Sequence, residues 1–366
     1  MRALVCPDKF RGSLSALEAA RAMAAGLGSV GWEDVREIPL ADGGEGTLDA
    51  VLAARAGTRL AATVTDPLGQ SVEASWALMA DGAAVIEMAQ ASGLRLVEGR
   101  NDPLAASTRG TGELMMAAIS AGARRLLVTV GGSATTDGGL GAVEALGWSL
   151  HGVEVTVACD VTIHFVRAAH LFAPQKGAGP DEVRVLQDRL ERLAGEYVRR
   201  TGVDVTTLAG SGAAGGLAGG LAALGARLRR GFDVVAEAVG LSGAVDGSAL
   251  VVTGEGRLDQ TSMQGKVVGG VLDLAEAHGV SRRAVIAGQM SEDIRERLPR
   301  DVLALALVDR SPDPEASFTR AAELVQAAAA EIGRWAQAPR SGGHLGSAGP
   351  RVIEAPWEGG SNDHDA

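Results

Sequence analysis

Glycines and oxygen-bearing side chains directly follow an apolar run in the segment Leu126–Gly141, LLVTVGGSATTDGGLG. The apolar run predicts a buried strand, and Gly131 and Gly132 come immediately after it. Because glycine has no Cβ, the main-chain N–H groups of such a segment can approach an anion closely. Ser133 and Asp137 add oxygen atoms of the kind that Mg²⁺ prefers as ligands. The segment therefore predicts a phosphate or Mg²⁺ site, and the alternative is a loop whose glycines only make the turn.

Two loops near the N-terminus also place charged residues after apolar runs. Asp42 and Glu45 lie in the glycine-rich turn ADGGEGT, where paired carboxylates could hold Mg²⁺ or accept a proton from a hydroxyl. Asp8, Lys9 and Arg11 follow the apolar run ALVC, at a strand end of the kind where ligands bind in open α/β sheets. A helix-capping aspartate in the first loop and a solvated loop in the second are the alternatives that the residues leave open.

The elements that must position these loops alternate between apolar runs and helical patterns along the chain. Such alternation predicts an α/β fold with a doubly wound, mostly parallel sheet. Short strands over 60–65, 72–78 and 83–88 are separated by turn signals and predict a β-rich hairpin segment in a second α/β domain.

The length of 366 residues suits two domains. We predict one domain formed by residues 1–60 together with 247–336, and a second domain inserted over 61–246. Beyond Gln337 the chain is rich in Gly, Ser, Pro and charge with little periodicity, which predicts a disordered tail over 337–366.

Composition limits the kinds of partner that the chain can have. The net charge of -11 argues against nucleic acid or an anionic membrane as the main partner. Cys6 and Cys159 lack metal-ligand spacing and are predicted to be buried, reduced thiols, as is usual in the cytosol. We expect neither a membrane span nor a secretory leader, and we therefore predict a cytoplasmic protein.

The segment Gly210–Gly215, GSGAAG, matches the dinucleotide-binding fingerprint, and Asp233 lies at about the right distance downstream. A helix over 217–228 would follow it. The preceding run Val203–Leu208 carries polar residues and makes a poor buried strand. An NAD-dependent oxidoreductase is therefore kept only as an alternative.

Several segments, taken together and in order, resemble the bacterial type I glycerate kinase family over about residues 1–330. The resemblance implies ATP- and Mg²⁺-dependent phosphorylation of D-glycerate to 2-phosphoglycerate, with 3-phosphoglycerate as the alternative product. It also implies two α/β domains, one of them flavodoxin-like, with the site in the cleft between them. The matching segments are PDKFRGSLSA at 7–16, ADGGEGT at 41–47, EMAQASGL at 87–94, GTGEL at 110–114, GGSATTDGG at 131–139, CDV at 159–161, PQKGA at 174–178, GSGAAGG at 210–216 and TGEGRLD at 253–259.

The chain departs from the family pattern in single residues and in loop length. Lys9 and Arg11 stand where the family usually has Ser and Lys, and Thr136 stands where it usually has Asn. Residues 148–152 replace a stretch of a few tens of residues, and residues 162–167 replace an Asn-Pro-rich loop. A catalytically impaired relative that only binds ligands is therefore an alternative to an active kinase.

Phosphoryl transfer requires positioning, a metal ion and positive charge more than covalent chemistry from the protein. The resemblance and the residue types together suggest four groups of site residues. The hypothetical catalytic residues are Asp160, Asp8, Lys266 and Arg257, the substrate-binding residues are Lys9, Arg11, Ser13 and Lys176, the nucleotide- or phosphate-binding residues are Gly131, Gly132, Ser133, Gly212, Gly254 and Glu255, and the metal ligands are Asp42, Glu45 and Asp137. The implied cofactors are Mg²⁺ and ATP as co-substrate. The expected partner is D-glycerate, with no nucleic acid and no membrane, and a homodimer is left open.

Overall fold

The computed structural model describes residues 1–310 and 314–339. Strands and helices alternate through most of this part of the chain, as the sequence predicts. The strands are β1 Arg2–Val5, β2 Asp34–Glu37, β3 Gly57–Thr65, β4 Ser71–Met79, β5 Ala83–Glu87, β6 Arg125–Thr129, β7 Glu154–Ala158, β8 Arg227–Arg229, β9 Leu250–Leu258, β10 Arg283–Met290 and β11 Val302–Ala306.

The first helix shows how local sequence sets a helix boundary. Ser15 accepts a hydrogen bond from the backbone N–H of Glu18, and the Glu18 carboxylate accepts one from the backbone N–H of Ser15, so a capping box starts α1. The α-helices are α1 Ala16–Gly28, α2 Thr47–Ala54, α3 Ala89–Ser92, α4 Arg109–Ser120, α5 Leu140–Ala145, α6 Arg167–Phe172, α7 Pro180–Thr201, α8 Leu217–Ala223, α9 Gly231–Val239, α10 Leu241–Val245, α11 Val267–Ala277, α12 Glu292–Arg297, α13 Pro314–Thr319 and α14 Ala321–Gln337.

The described residues form two compact units. Unit 1 contains Met1–Leu40 and the described residues from Gly240 onward, and unit 2 contains Ala41–Val239. Unit 1 is therefore built from two separate segments of the chain, and unit 2 lies between them in sequence.

Unit 1 has a five-stranded sheet in the order β2-β1-β9-β10-β11, and every neighbouring pair is parallel. Numbered within the unit, this order is 2-1-3-4-5, which is the flavodoxin-like arrangement. Val252 and Ile286 pack in one core with α1 and α14, whereas Val285 and Ala287 pack in a second core with α11 and α12. The sheet is therefore covered on both faces, as predicted for a doubly wound fold.

Unit 2 has a six-stranded mixed sheet in the order β3-β4-β5-β6-β7-β8. The strands β3, β4 and β5 pair antiparallel, which confirms the predicted hairpin segment, and β5 to β8 are parallel. Helices α4, α5 and α8 surround a core that includes Leu114, Val128 and Leu217, and α7 packs on a second core around Phe165 and Tyr197. The α/β fold with two sheets is thus the architecture that the sequence predicts.

The units meet in sequence at residues 40/41 and 239/240, whereas the predicted boundaries are 60/61 and 246/247. The difference at the first boundary arises because α2 belongs to unit 2. Glu87, at the end of β5, accepts hydrogen bonds of 2.9 Å from the N–H groups of both Gly46 and Leu48, where α2 begins. The predicted tail over 337–366 lies, apart from its first three residues, outside the described residues.

None of the helices described is both long and apolar enough to cross a membrane.

Candidate functional site

Unit 2 contains a cavity of about 390 Å³ at the carboxyl ends of its parallel strands. This first cavity is lined by the loops that follow β6 and β7, by the turn at residues 42–44, and by the segment around Lys176. Loops at the carboxyl ends of parallel strands are the usual place for ligands in α/β sheets. Six residues predicted from the sequence lie together in its wall: Asp42, Gly131, Gly132, Ser133, Asp160 and Lys176.

Gly131 and Gly132 form the part of the wall that follows β6. A Cβ on Gly131 would lie 2.8 Å from the Cα of Gly44, so the two backbones can pass this closely only because glycine occupies the position. Gly132 has a φ of 75°, in the left-handed region that favours glycine. Within the described chain, no acceptor is found for the N–H groups of either glycine. These two donors therefore suit an oxyanion such as a phosphate group.

Lys176 is 5% exposed and lies beside the glycine segment. Its Nζ donates a hydrogen bond to the carbonyl oxygen of Thr135 and lies 3.4 Å from the Oγ of Ser133. Ser133 Oγ in turn accepts a hydrogen bond from the N–H of Thr135 at 3.1 Å. Burial lowers the pKa of Lys176 to about 7, against a weaker opposing effect of the Asp137 charge. The amine is thus poised to gain a proton when an anion enters the cavity.

Asp42 and Asp160 place carboxylates in the wall of the first cavity. The Oδ1 of Asp160 accepts a hydrogen bond of 2.9 Å from the N–H of Gly231, at the start of α9. A Cβ on Gly231 would lie 1.9 Å from the carbonyl oxygen of Asp42 and 2.9 Å from the Oδ1 of Asp160. Both aspartates therefore converge on a position that only glycine can occupy.

Asp137 does not line the first cavity. Its Oδ2 accepts hydrogen bonds of 2.8 Å from both the N–H and the hydroxyl of Thr108, and one of 3.2 Å from the N–H of Gly141. Its Oδ1 accepts one of 3.1 Å from the N–H of Gly139. This carboxylate acts as a loop clamp, which is the structural alternative for an aspartate in such a turn.

Two other predicted residues of unit 2 also lie apart from the first cavity. Glu45 forms an ion pair of 2.9 Å with Arg95. Gly212 donates a hydrogen bond to the carbonyl of Ile163, while its neighbours Ala213 and Ala214 line the cavity. In the described part of the chain, no group of three or more His, Cys, Asp or Glu residues could hold a metal ion. The three predicted metal ligands are therefore not gathered in one cluster.

The remaining predicted residues lie in unit 1 around the carboxyl ends of β1 and β9, where the strand order of the sheet reverses. The N–H of Asp8 donates to the carbonyl of Gly254 at 2.8 Å, and a Cβ on Gly256 would lie 2.8 Å from the N of Arg11. The loop after β1 thus runs directly over β9. Such a topological switch point is the expected ligand position in a flavodoxin-like sheet.

Glu255 is the most perturbed carboxylate at this switch point. Burial, and to a smaller extent the charges of Asp8 and Asp259, raise its pKa to about 7, although Ser262 and Lys266 oppose the change. Its Oε1 is buried and has no hydrogen-bond partner in the described residues. The other predicted residues of unit 1 occupy the same loops and the same edge of the sheet: Lys9 and Ser13 after β1, Arg257 on β9, and Lys266 at the start of α11, where its Nζ lies 3.3 Å from the Oγ1 of Thr261.

The dinucleotide-binding interpretation of Gly210–Gly215 does not fit its structural context. The residues before it form a short 3₁₀ turn at Val205–Thr207 instead of a strand. The helix that follows, α8, ends at Ala223, shortly before Gly225 with a φ of 103°, and β8 begins at Arg227. The predicted helix over 217–228 is therefore wrong after residue 223. The fingerprint requires a strand before the glycines and a helix directly after them.

Three residues in or behind the wall of the first cavity are not among the predicted site residues. Thr135 supplies the carbonyl that holds Lys176, Gly231 supplies the N–H that holds Asp160, and Ala214 lines the wall with a φ of 52°. Thr135 and Gly231 act through backbone atoms, which the residue type does not reveal, and Ala214 contributes only its place in the wall.

The structure thus shows a two-sheet α/β fold whose first cavity holds glycine N–H donors, a buried amine and two aspartates in one wall. Comparison with known proteins gives the class a name: the model of the Glycerate kinase family matches residues 3–152 and 149–337. The chain belongs to the glycerate kinase family, and thereby to the phosphotransferases with an alcohol group as acceptor.

Relatives and a solved structure agree with this family. Glycerate kinase of Bacillus subtilis (strain 168) is 39% identical over 370 residues, covering 91% of this chain and 97% of the relative. Glycerate 2-kinase of Escherichia coli (strain K12) is 39% identical over 334 residues, covering 80% and 87%. A crystal structure provisionally assigned as glycerate kinase 2 of Salmonella typhimurium LT2 has a TM-score of 0.78 at 34% identity and covers 92% of this chain and 98% of its own.

Proposed function

We propose that this chain is a bacterial type I glycerate kinase that uses ATP and Mg²⁺ in the cytoplasm to phosphorylate D-glycerate. The proposed product is 2-phosphoglycerate, with 3-phosphoglycerate as the alternative. The observation that carries the proposal is the first cavity, where glycine N–H donors, a buried amine and two carboxylates come together from loops far apart in sequence.

The phosphate groups of the nucleotide fit the donors of the first cavity. The N–H groups of Gly131 and Gly132 would bind phosphate oxygens without rearrangement, because they have no acceptor within the described chain. Lys176 would add a positive charge close to them. A buried cation stabilises negative charge on a transferring phosphoryl group more strongly than an exposed one, since little water screens it.

Asp160 is the proposed proton acceptor in the first cavity. As the substrate hydroxyl attacks phosphorus, its proton must go to a base within hydrogen-bond reach. The N–H of Gly231 fixes one carboxylate oxygen of Asp160. This hydrogen bond orients the carboxylate at the cavity wall, so the residue can act without first being ordered.

The residues of the first cavity fit a Mg²⁺ ion only in part. Mg²⁺ usually takes one or two carboxylates from the protein and completes its shell with water and substrate phosphates. Asp42 meets this requirement because it lies in the same wall of the cavity as Gly131 and Gly132. When bound, the ion would neutralise charge on the phosphate oxygens. We leave Asp137 and Glu45 out of the proposed ligand set, since each already has partners.

The predicted residues of unit 1 stay predictions. Lys9, Arg11 and Ser13 are proposed to bind the carboxylate of D-glycerate, and the Arg11→Ala variant should then raise KM for D-glycerate more than KM for ATP. We propose catalytic roles for Asp8, Arg257 and Lys266. A nucleotide-binding role is proposed for Gly254 and Glu255. Steady-state kinetics of the corresponding variants would test these roles in the same way.

The decisive experiment measures ADP release by the purified chain with Mg-ATP, with and without D-glycerate. ³¹P NMR of the product then distinguishes 2-phosphoglycerate from 3-phosphoglycerate. Glycerate-dependent ADP release supports the proposal, and its loss when Mg²⁺ is chelated supports the metal requirement. ADP release that is the same with and without D-glycerate would refute the proposed substrate.

A catalytically impaired relative is the second candidate, because residues 162–167, which follow β7 on the side of the first cavity, replace a loop of the family pattern. The shortened connection at 148–152 precedes β7 and therefore lies at the opposite end of this strand. The two matches to the family model meet at residues 149–152, within this short connection. Trp148 and His151 both have positive φ values there, 61° and 52°, which non-glycine residues rarely adopt. Binding of Mg-ATP without any turnover would favour this candidate. A thermal shift with NAD but none with Mg-ATP would instead favour the oxidoreductase, which the context of Gly210–Gly215 already disfavours.

A further inference from the structure

Unit 2 contains a second cavity, of about 500 Å³, which the proposed reaction does not use. One wall is α7, and the other is the loop that follows the glycine segment, at Thr136 and Asp137. Asp137, a predicted metal ligand, lies in this second wall.

The second cavity combines an apolar interior with guanidinium groups. Four leucines line it, and three arginines of α7 lie in the same wall: Leu104, Leu140, Leu186 and Leu193, with Arg189, Arg192 and Arg199. Leucine side chains favour an apolar ligand body. The guanidinium group binds phosphate through parallel N–H donors.

The positive charge of this wall is only partly neutralised within the protein. Glu196 pairs with both Arg199 and Arg200. Arg189 donates a hydrogen bond of 2.7 Å to the carbonyl of Leu104, which carries no net charge. In the described residues, the Arg192 side chain has no hydrogen bond and no ion pair. Arg189 and Arg192 are three residues apart on α7, so both can face one dianion.

A separate observation points to a ligand at the opposite wall. Thr136 lines the second cavity and is 1% exposed, yet its Oγ1 has no hydrogen-bond partner within the described residues. A buried hydroxyl without a partner is destabilising, so such groups are uncommon in folded proteins. A bound ligand with a polar atom at this wall would satisfy the hydroxyl.

We propose that the second cavity is a binding site for a small organic phosphate with an apolar body. The apolar body packs among the leucines, the phosphate group lies between Arg189 and Arg192, and Thr136 donates a hydrogen bond to a polar atom of the ligand. Asp137 does not oppose the binding strongly, because backbone and hydroxyl donors already hold its carboxylate. The proposal does not depend on the activity of the first cavity.

The test uses phenyl phosphate as the probe, with isothermal titration calorimetry on the full chain. Phenol and inorganic phosphate are the reference compounds, since each carries only one half of the proposed ligand. We expect phenyl phosphate to bind more tightly than either. The Arg192→Ala variant should weaken its binding about tenfold or more, as expected for loss of a charge-assisted hydrogen bond. The matched control is Arg184→Ala, which removes an arginine of the same helix that does not line the cavity.

A Thr136→Val variant provides a second, nearly isosteric measurement. It should weaken phenyl phosphate binding without lowering the melting temperature, because the hydroxyl it removes has no partner in the described chain. Three results would overturn the proposal. The first is no binding of phenyl phosphate to the wild type at about 10 mM, and the second is an equal loss of affinity in Arg184→Ala and Arg192→Ala. The third is displacement of phenyl phosphate by Mg-ATP, together with a loss of ATP affinity in Arg192→Ala. The last result would assign the second cavity to the nucleotide of the main reaction.

Discussion

The difference in stability between the Lys176→Met variant and the wild type should change sign with pH. In the folded protein, burial lowers the pKa of Lys176 from 10.5 to about 7. Between these values the unfolded chain binds a proton that the folded chain does not, so wild-type stability rises with pH through this range. The difference between the two pKa values corresponds to about 5 kcal/mol of unfolding free energy. The wild type gains all of this stability only near pH 10.5 and has none of it below pH 7. Methionine carries no such penalty.

The magnitude follows from two opposing effects. Loss of the amine leaves the carbonyl of Thr135 without its donor, which costs about 1–3 kcal/mol at every pH. At pH 6 the variant should therefore be more stable than the wild type by about 2–4 kcal/mol, since it escapes the penalty of about 5 kcal/mol. At high pH the penalty disappears, and the variant should become the less stable protein.

Urea unfolding of both proteins at pH 6, 7, 8 and 9 measures this difference, and other titrating groups cancel in the comparison. The free-energy difference should change by about 3 kcal/mol between pH 6 and pH 9. The control is Gln70→Met, which replaces an exposed side chain that carries no titratable group, so its difference from the wild type should be the same at every pH. A Lys176→Met difference that stays constant within about 0.5 kcal/mol would refute the inferred environment of the amine.

Three further predictions concern carboxylates. Asp137→Asn should lower stability by about 1–3 kcal/mol, measured by urea unfolding, while turnover per folded molecule changes less than about twofold; a large loss of turnover at full stability would restore the metal-ligand role. Asp160→Asn should reduce glycerate-dependent ADP release about 10²–10⁴-fold without changing stability comparably. The control is Glu154→Gln at the start of β7, the strand that precedes Asp160, and full turnover of Asp160→Asn would remove this residue from catalysis. Glu255→Gln should gain stability relative to the wild type as pH rises from 4.5 to 7. In this range the folded wild type keeps a proton on Glu255 that the unfolded chain loses, so only the wild type is destabilised. An equal difference in unfolding free energy between the two proteins at pH 5 and pH 8, measured in urea, would contradict the raised pKa.

Local elements of the fold could be predicted well from the sequence. The capping box at Ser15, the hairpin over β3 and β4, and the strand before Gly131 each depend on nearby residues, and all three are present. Strand order depends on contacts between distant segments. The pairing of Leu4 with Val251 in unit 1, for example, leaves no local signal in the sequence.

The candidate site could be predicted in part for a related reason. The residue types in the glycine segment and at Asp42, Asp160 and Lys176 indicated their chemistry, and the structure brings them to one cavity. Asp137 has the same residue type but a different role, because Thr108 satisfies its carboxylate from 29 residues away. A carboxylate that clamps a loop and one that faces a ligand look alike in sequence.

The interrupted course of unit 1 along the chain has a consequence for how the protein is made. Strands β1 and β2 are synthesised first, but β1 pairs with β9, which begins at Leu250. All of unit 2 emerges between them and can fold as a unit, because domains generally fold in this way during synthesis. Until β9 appears, one edge of β1 has no partner strand, and unpaired edges promote aggregation. During synthesis, unit 1 should accordingly complete its folding after unit 2, and this edge of β1 stays unpaired throughout that interval.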